Sequence, residues 1–207
     1  LRIAGVVLAG GESRRMGTDK ASLPFGDRTL LQRVVQRLGA CCDPVFVVTG
    51  DPHRYAVLGA RAVVDRWPGL GPLAGLEAGL RAAPTAYAAV VACDLPFLRP
   101  DLLRGLAREA EGWDAAVPAT DRPHPLCAVY HRRAAELAEL LLGSGGGSLR
   151  DLLARLHVRY VPEDVLRGWD PDLASLFNVN TPEDYARALA LLAAEGSAAT
   201  APVRPPS

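Results

Sequence analysis

The sequence predicts a single α/β domain: a mainly parallel, twisted sheet with helices on both faces. Three observations carry that prediction. Short apolar runs alternate with helical patterns through the first half of the chain. Several of those runs are continuous and β-branched rather than alternating, as strands covered on both faces are. Strand–helix alternation in turn demands right-handed crossovers, which leave successive strands parallel.

Residues 3–9 (IAGVVLA) form the first expected strand, which runs into glycines. Thr29-Leu30-Leu31-Gln32 has the form of a capping box and opens a helix that buries Leu30, Leu31, Val34, Val35 and Leu38. Residues 45–48 and 61–64 supply the second and third strands. Pro72 stands where a first helical turn accepts proline, and Leu73, Leu76 and Leu80 follow at helical spacing. Residues 87–93 (YAAVVAC) read as a fourth strand, followed by a helix over about 100–110. Residues 115–117 and 126–131 are two further strands, and 158–161 is a short one. Helices are expected at about 133–142 and 149–156, on either side of the glycine-rich run 143–148. Thr181 caps the last helix with Pro182 at its first position. The domain is expected to span residues 1–195, with an Ala/Pro/Ser-rich, disordered tail over 196–207.

Composition narrows the function. Net charge is zero and the pI is about 7.1, so no broad basic surface for nucleic acid is expected. No apolar run approaches the ~18 residues of a membrane span. The chain starts at Leu1 and passes directly into a strand, so no cleavable leader is expected. Cys41, Cys42, Cys93 and Cys127 form no C-x-x-C pair and have no histidines at metal-ligand spacing, which favours free thiols in a reducing cytoplasm.

In a parallel sheet, ligands bind beyond the carboxyl ends of the strands. That rule selects the loop after the first strand, then Asp65, Asp94 and the residues around Asn178. The loop, Leu8-Ala9-Gly10-Gly11-Glu12-Ser13-Arg14-Arg15-Met16-Gly17-Thr18-Asp19-Lys20, matches neither G-x-x-x-x-G-K-[ST] nor G-x-G-x-x-G. Its chemistry is still that of a polyphosphate cradle. Glycines let backbone N–H groups approach oxygens, while Arg14, Arg15 and Lys20 supply positive charge. Lys20 is the only lysine among 23 Lys and Arg residues. A compact ammonium suits a single phosphate oxygen where a planar guanidinium does not.

Asp94 follows a buried strand in Ala92-Cys93-Asp94-Leu95-Pro96. A carboxylate there needs a partner, and a divalent cation is one; capping the turn before Pro96 is the other reading. Asp65 ends a strand too, where capping competes equally with ligand contact. Asn178 and Asn180 are the only asparagines, and on an extended segment both amides face the same side. Local turn chemistry ahead of the helix also accounts for Asn180.

Together these motifs resemble the molybdenum cofactor guanylyltransferases. The match runs through Leu8 to Gly11, Ser13 to Gly17, Asp19-Lys20, Gly71-Pro72-Leu73-Ala74-Gly75, Cys93-Asp94-Leu95-Pro96, His124-Pro125-Leu126 and Asn178-Val179-Asn180-Thr181-Pro182-Glu183, over about residues 3–190. The first motif alone would indicate only the wider sugar-nucleotide-type nucleotidyltransferases; the Asn-Val-Asn-Thr-Pro ending is more selective.

The resemblance implies a nucleotide-diphospho-sugar transferase-like, Rossmann-type fold and transfer of GMP from GTP to molybdopterin. It implies a nucleotide site at Leu8, Ala9, Gly10, Gly11, Lys20, Asp65 and Asp94, with Mg²⁺ held at Asp94. It implies catalytic roles for Lys20, Arg15 and Asp94, and molybdopterin contacts at Gly17, Asn178 and Asn180. Transient contacts with other cofactor-biosynthesis proteins and acceptor molybdoenzymes would follow, with no nucleic acid and no membrane. Thr49 stands where some members carry Asn. Three alternatives stay open: a cytidylyltransferase acting on the same pterin, a sugar-phosphate nucleotidyltransferase, and a non-catalytic nucleotide-binding protein.

Overall fold

The computed structural model describes residues 2–9, 19–51 and 60–199. In chain order the elements are β1 (Ala4–Leu8), β2 (Pro24–Phe25), β3 (Arg28–Thr29), α1 (Leu30–Gly39), β4 (Val45–Thr49), β5 (Arg61–Val64), α2 (Pro72–Ala82), β6 (Tyr87–Ala92), α3 (Pro100–Glu109), β7 (Ala115–Ala119), β8 (Cys127–His131), α4 (Ala134–Gly143), α5 (Leu149–Leu153), β9 (Val158–Pro162), α6 (Glu163–Arg167) and α7 (Pro182–Ala199). Short 3-10 turns occupy Lys20–Ser22 and Ala174–Leu176.

Seven strands form one sheet in the order β5-β4-β1-β6-β8-β7-β9, and β2 and β3 make a separate small hairpin. Strands β5, β4, β1 and β6 are parallel, as are β7 and β9; β8 alone runs antiparallel to its neighbours β6 and β7. This is the predicted α/β domain with its mostly parallel sheet. One reversed strand has a specific effect. It starts at the edge where the parallel strands end and runs back from it, so the turn between β7 and β8 lies beside the carboxyl end of β6, with the Ala92 amide donating to the Leu126 carbonyl at 2.9 Å.

Two cores flank the sheet. On one face Val7, Val47, Val91 and Val129 pack with Leu31, Val34, Leu38 and Leu102. On the other, Val6, Val48, Val90 and Val117 pack with Leu73, Leu76, Leu80 and Leu141. Alternate residues of each strand point to opposite sides, so a continuous apolar run serves both layers. A third, smaller cluster of Phe25, Leu30, Phe97, Val179 and Ala188 fixes the hairpin and α7 near the sheet's carboxyl edge.

Local signals explain the helix starts. The Thr29–Gln32 capping box is formed, with the Gln32 amide donating to Thr29 Oγ1 at 3.2 Å and the Thr29 amide to Gln32 Oε1 at 2.8 Å. Before Pro72, Gly71 adopts φ 80°, a left-handed conformation that a Cβ would strain. The glycine-rich run ends α4 and starts α5. Gly145 and Gly146 take φ 106° and 111°, and Ser148 then forms a capping box with Asp151.

Several sequence expectations need correction. The helix expected over 149–156 stops at Leu153 and gives way to turns. The helical backbone of α7 continues to Ala199, into the span expected as a tail; residues 200–207 lie outside the described residues. Helix α6 and the β2–β3 hairpin were not foreseen. Both are too short to show a periodicity. Among the described residues, no helix is long and apolar enough to cross a membrane.

Helix α2 lies directly on the sheet because Gly79 has no side chain. A Cβ there would meet Val6 Cγ1 at 2.3 Å and Val48 Cγ2 at 3.2 Å. Gly79→Ala is expected to lose about 1–2 kcal/mol net, overpacking outweighing the better helix propensity of alanine. Urea unfolding of both proteins measures it, and an alanine variant as stable as its parent would show that α2 can lift off the sheet without cost.

Candidate active site

The carboxyl ends of β1, β4, β5 and β6 share one edge, and most of the described candidate residues gather there. Leu8 and Ala9 close β1 and are buried. The Ala9 amide donates to the Val48 carbonyl at 2.9 Å, and the Leu8 carbonyl accepts from the Cys93 amide at 3.2 Å, so the strand end is fixed on both sides.

Lys20 opens a 3-10 turn capped by Asp19, whose carboxylate accepts from the Ala21 amide at 3.2 Å and the Ser22 hydroxyl at 2.7 Å. That turn holds the Lys20 stem against the sheet edge. Its Nζ donates to Asn180 Oδ1 at 2.9 Å and lies 3.5 Å from Asp94 Oδ2. Both charged side chains are largely shielded, at 16% and 14% relative exposure, so their attraction is screened far less than that of a surface pair. Asn178 Nδ2 donates to Asp94 Oδ1 at 3.3 Å.

Between the two asparagines, Val179 points the other way into the third core cluster, and its amide donates to the Asp94 carbonyl at 2.9 Å. Period-two geometry therefore delivers both amides to the Lys20–Asp94 pair. The Asn180 main chain has a second duty. Its amide donates to Asp184 Oδ2 at 3.0 Å while Thr181 Oγ1 accepts from the Asp184 amide at 3.1 Å, an interlocked start for α7. Burial pushes the Asp94 carboxyl above its ordinary value, opposed chiefly by the Lys20 ammonium.

Asp65 is placed differently. It ends β5, beyond β4, and its Oδ1 accepts from the Trp67 amide at 2.8 Å, the turn-capping role that the sequence held open. Thr49 is buried at the end of β4, where its Oγ1 accepts from the Asp51 amide at 3.1 Å. Gly10, Gly11, Arg14, Arg15 and Gly17 lie outside the described residues.

Among the described residues there is no group of three or more His, Cys, Asp or Glu side chains that could enclose a metal. The donor set nevertheless suits Mg²⁺, which commonly takes one or two carboxylates and completes its shell with substrate phosphates and water. Asp94 would supply the carboxylate; Asn178 presents its Nδ2 donor to Asp94, and the Asn180 oxygen accepts from Lys20.

Two supports were not visible in the sequence. Asp170 is fully buried. Its carboxylate accepts from the Ser175 amide at 2.8 Å and the Ala174 amide at 3.2 Å, and Arg99 Nε lies 3.1 Å away. The Arg99 amide in turn donates to Ser175 Oγ at 2.8 Å. This clasp fixes the chain just ahead of Asn178. The second support is a cleft of 220 Å³ between Asn178 and the β7–β8 turn, with His124 and Arg122 in its wall. The sequence placed His124 in a motif but gave it no task.

Comparison with known proteins identifies the family. Residues 5–160 match the family described as the MobA-like NTP transferase domain. A protein of Pelotomaculum thermopropionicum named probable molybdenum cofactor guanylyltransferase is 39% identical over 189 residues, covering 91% of this chain and 92% of its own. One of the same name from Mycobacterium tuberculosis is 42% identical over 186 residues, covering 86% and 89%. The crystal structure of molybdopterin-guanine dinucleotide biosynthesis protein A from Archaeoglobus fulgidus superposes with a TM-score of 0.84 at 32% identity, covering 93% of this chain and all of that one. The matched span, the identity along most of the length and the shared architecture agree: the chain belongs to the MobA-like NTP transferase family, alongside the molybdenum cofactor guanylyltransferases.

Proposed function

We propose that the protein transfers GMP from GTP to molybdopterin with release of pyrophosphate. The observation that carries this reading is the single hydrogen-bonded cluster of Lys20, Asp94, Asn178 and Asn180 at the carboxyl edge of the parallel strands. It offers an ammonium for phosphate oxygens, a carboxylate suited to a cation, and two amides for a second substrate. The names of the relatives point to the same substrates.

The terminal phosphate of molybdopterin attacks the α-phosphorus of GTP, a P–O bond forms, and the bond to pyrophosphate breaks. A phosphate oxygen is already nucleophilic, so the task is alignment and charge stabilisation rather than proton removal. Lys20 would stabilise charge on the transferring phosphates. Its bond to Asn180 and its ion pair with Asp94 set where that charge sits. Mg²⁺ bound at Asp94 would neutralise phosphate charge and hold the reactants in line. Arg14 and Arg15 would add attraction for two anionic substrates on an otherwise neutral protein.

Pyrophosphate release from each of the four nucleoside triphosphates, with and without molybdopterin, tests the reading. Release that needs both GTP and molybdopterin is expected; release with CTP in place of GTP would move the assignment to cytidylyl transfer. Base choice has its own test at Gly11, which lies outside the described residues: an added Cβ is expected to crowd a bicyclic base more than a pyrimidine. GTP is expected to bind well ahead of CTP. Gly11→Ala should narrow the gap, mainly through lost GTP affinity, by about 10–200-fold. Calorimetric titration of both proteins with both nucleotides decides it.

Asn180→Ala is expected to weaken molybdopterin use by the ~5–150-fold that one hydrogen-bond partner is worth once bound substrate covers it, about 1–3 kcal/mol, with GTP binding within a few-fold of normal. Steady-state kinetics against each substrate separates the effects. GTP affinity falling in parallel would limit Asn180 to positioning Lys20 and remove its molybdopterin contact.

A further inference from the structure

The reversed strand β8 brings a histidine to the site that the transfer chemistry does not use. Residues between β7 and β8 are held tightly. The His124 amide donates to the Pro118 carbonyl at 2.9 Å, the Cys127 amide to the His124 carbonyl at 3.1 Å, and the Tyr130 hydroxyl to the Pro125 carbonyl at 2.9 Å. The imidazole is therefore carried on a rigid turn.

Proton counting fixes its state. Thr120 Oγ1 lies 2.8 Å from Asp121 Oδ1 and 2.9 Å from His124 Nε2. A carboxylate only accepts, so the one hydroxyl proton goes to Asp121, and the Thr120 oxygen must accept from Nε2–H. Neutral imidazole then carries its lone pair on Nδ1. Burial, helped by the Arg122 charge and opposed by Asp121, holds the His124 pKa below its ordinary value, which keeps that lone pair at neutral pH. Nδ1 has no partner among the described residues.

Across the cleft, Asn178 is in a similar condition. Its Nδ2 donates to Asp94, which leaves Oδ1 as an acceptor without a partner among the described residues. The cleft between them is 220 Å³ and is lined by Leu95, Arg122, His124, Leu149, Leu176 and Asn178 among others. That is less than the roughly 300–1,000 Å³ of a site for a whole drug-sized ligand, and suits one ring system of a larger molecule. Asn178 belongs both to this cleft and to the Asp94 cluster. A ring seated here would have its substituent at Asp94 and Lys20.

We infer that this cleft is a subsite for a planar nitrogen heterocycle, read at an edge that presents N–H and amino donors to His124 Nδ1 and Asn178 Oδ1. The inference rests on the acceptor assignment above: of the two substrates, it is the pterin ring that would lie here. Apolar walls of Leu95, Leu149 and Leu176 cover the ring, and two acceptors face its edge. A site built to pair a donor rejects an analogue that lacks it, because the buried acceptor is then left unpaired.

Pterin and lumazine test this directly, since lumazine is the same bicycle with a carbonyl in place of the amino group. Fluorescence titration of the whole protein with each is expected to show pterin bound about tenfold more tightly or better, the effect of one unpaired acceptor. His124→Phe should lose that preference, and His124→Asn, which keeps an acceptor near the Nδ1 position, should retain most of it. GTP affinity and melting temperature should stay near those of the parent in both variants. Equal binding of the two bicycles, no saturable pterin binding, a preference that survives in His124→Phe, or GTP affinity falling in parallel would each overturn the inference. Pyrophosphate release is scored separately. Release with molybdopterin but no pterin preference sinks this inference alone; a His124-dependent preference without release sinks guanylyl transfer and leaves the subsite standing.

Discussion

Asp94→Asn is expected to lower Mg²⁺-dependent turnover by on the order of 10²–10³-fold while leaving the fold intact. The amide has the shape of the carboxylate and can still accept from Asn178, but it lacks the charge that a divalent cation requires. Folding should not suffer. Burial holds the Asp94 carboxyl above its ordinary pKa, so ionising it in the native state works against stability, and a neutral amide removes that cost. Lys20 loses its ion pair in the variant and keeps its bond to Asn180. Activity and melting temperature are therefore predicted to part company. A Mg²⁺ titration measures the first and thermal unfolding the second. A titration curve superimposable on the parent's would make Asp94 a turn cap and place the cation elsewhere.

Lys20→Ala should lower kcat/KM by roughly 10²-fold or more, the loss expected when one preorganised charge contact to a transferring phosphate is removed. Lys20→Arg is the sharper experiment. The ammonium sits between Asn180 Oδ1 at 2.9 Å and Asp94 Oδ2 at 3.5 Å, with little exposure. A planar guanidinium is wider and directs its donors as a fork, so it would displace one of those partners or the phosphate. Arginine is the residue this chain otherwise uses for positive charge, so the substitution changes shape more than charge. Full turnover in the arginine variant would reduce the sole lysine to an accident of composition.

Much of this arrangement was legible in the sequence, for identifiable reasons. Asp94 stood out because a carboxylate at the end of a buried run needs a partner. Asn178 and Asn180 stood out because alternation on an extended segment aims both amides one way, with Val179 as the apolar residue between them. What local pattern could not supply was which residue meets which. The Lys20–Asn180 bond joins positions 160 apart in the chain, beyond any spacing argument. The direction of β8 was equally hidden, since a five-residue apolar run reads the same in either orientation. His124 therefore appeared only as part of a motif, and its place beside Asn178 follows from that reversal. Asp170 gave no signal at all, because a buried carboxylate that serves backbone amides looks in sequence like any surface aspartate.

The cluster is drawn from positions 20, 94, 178 and 180, and its last members arrive through the packing of Val179 and α7 against Phe25 and Phe97. Synthesis runs from the N-terminus, and domains begin to fold while the chain is still emerging. All seven sheet strands are complete by residue 162, well before Asn178 has been added. A nascent chain can thus own its whole sheet and still hold Lys20 and Asp94 without their asparagines. The asparagines of the proposed site are thus among the last of its parts that the ribosome delivers, and a polypeptide that ended before them would carry the sheet with that cluster incomplete.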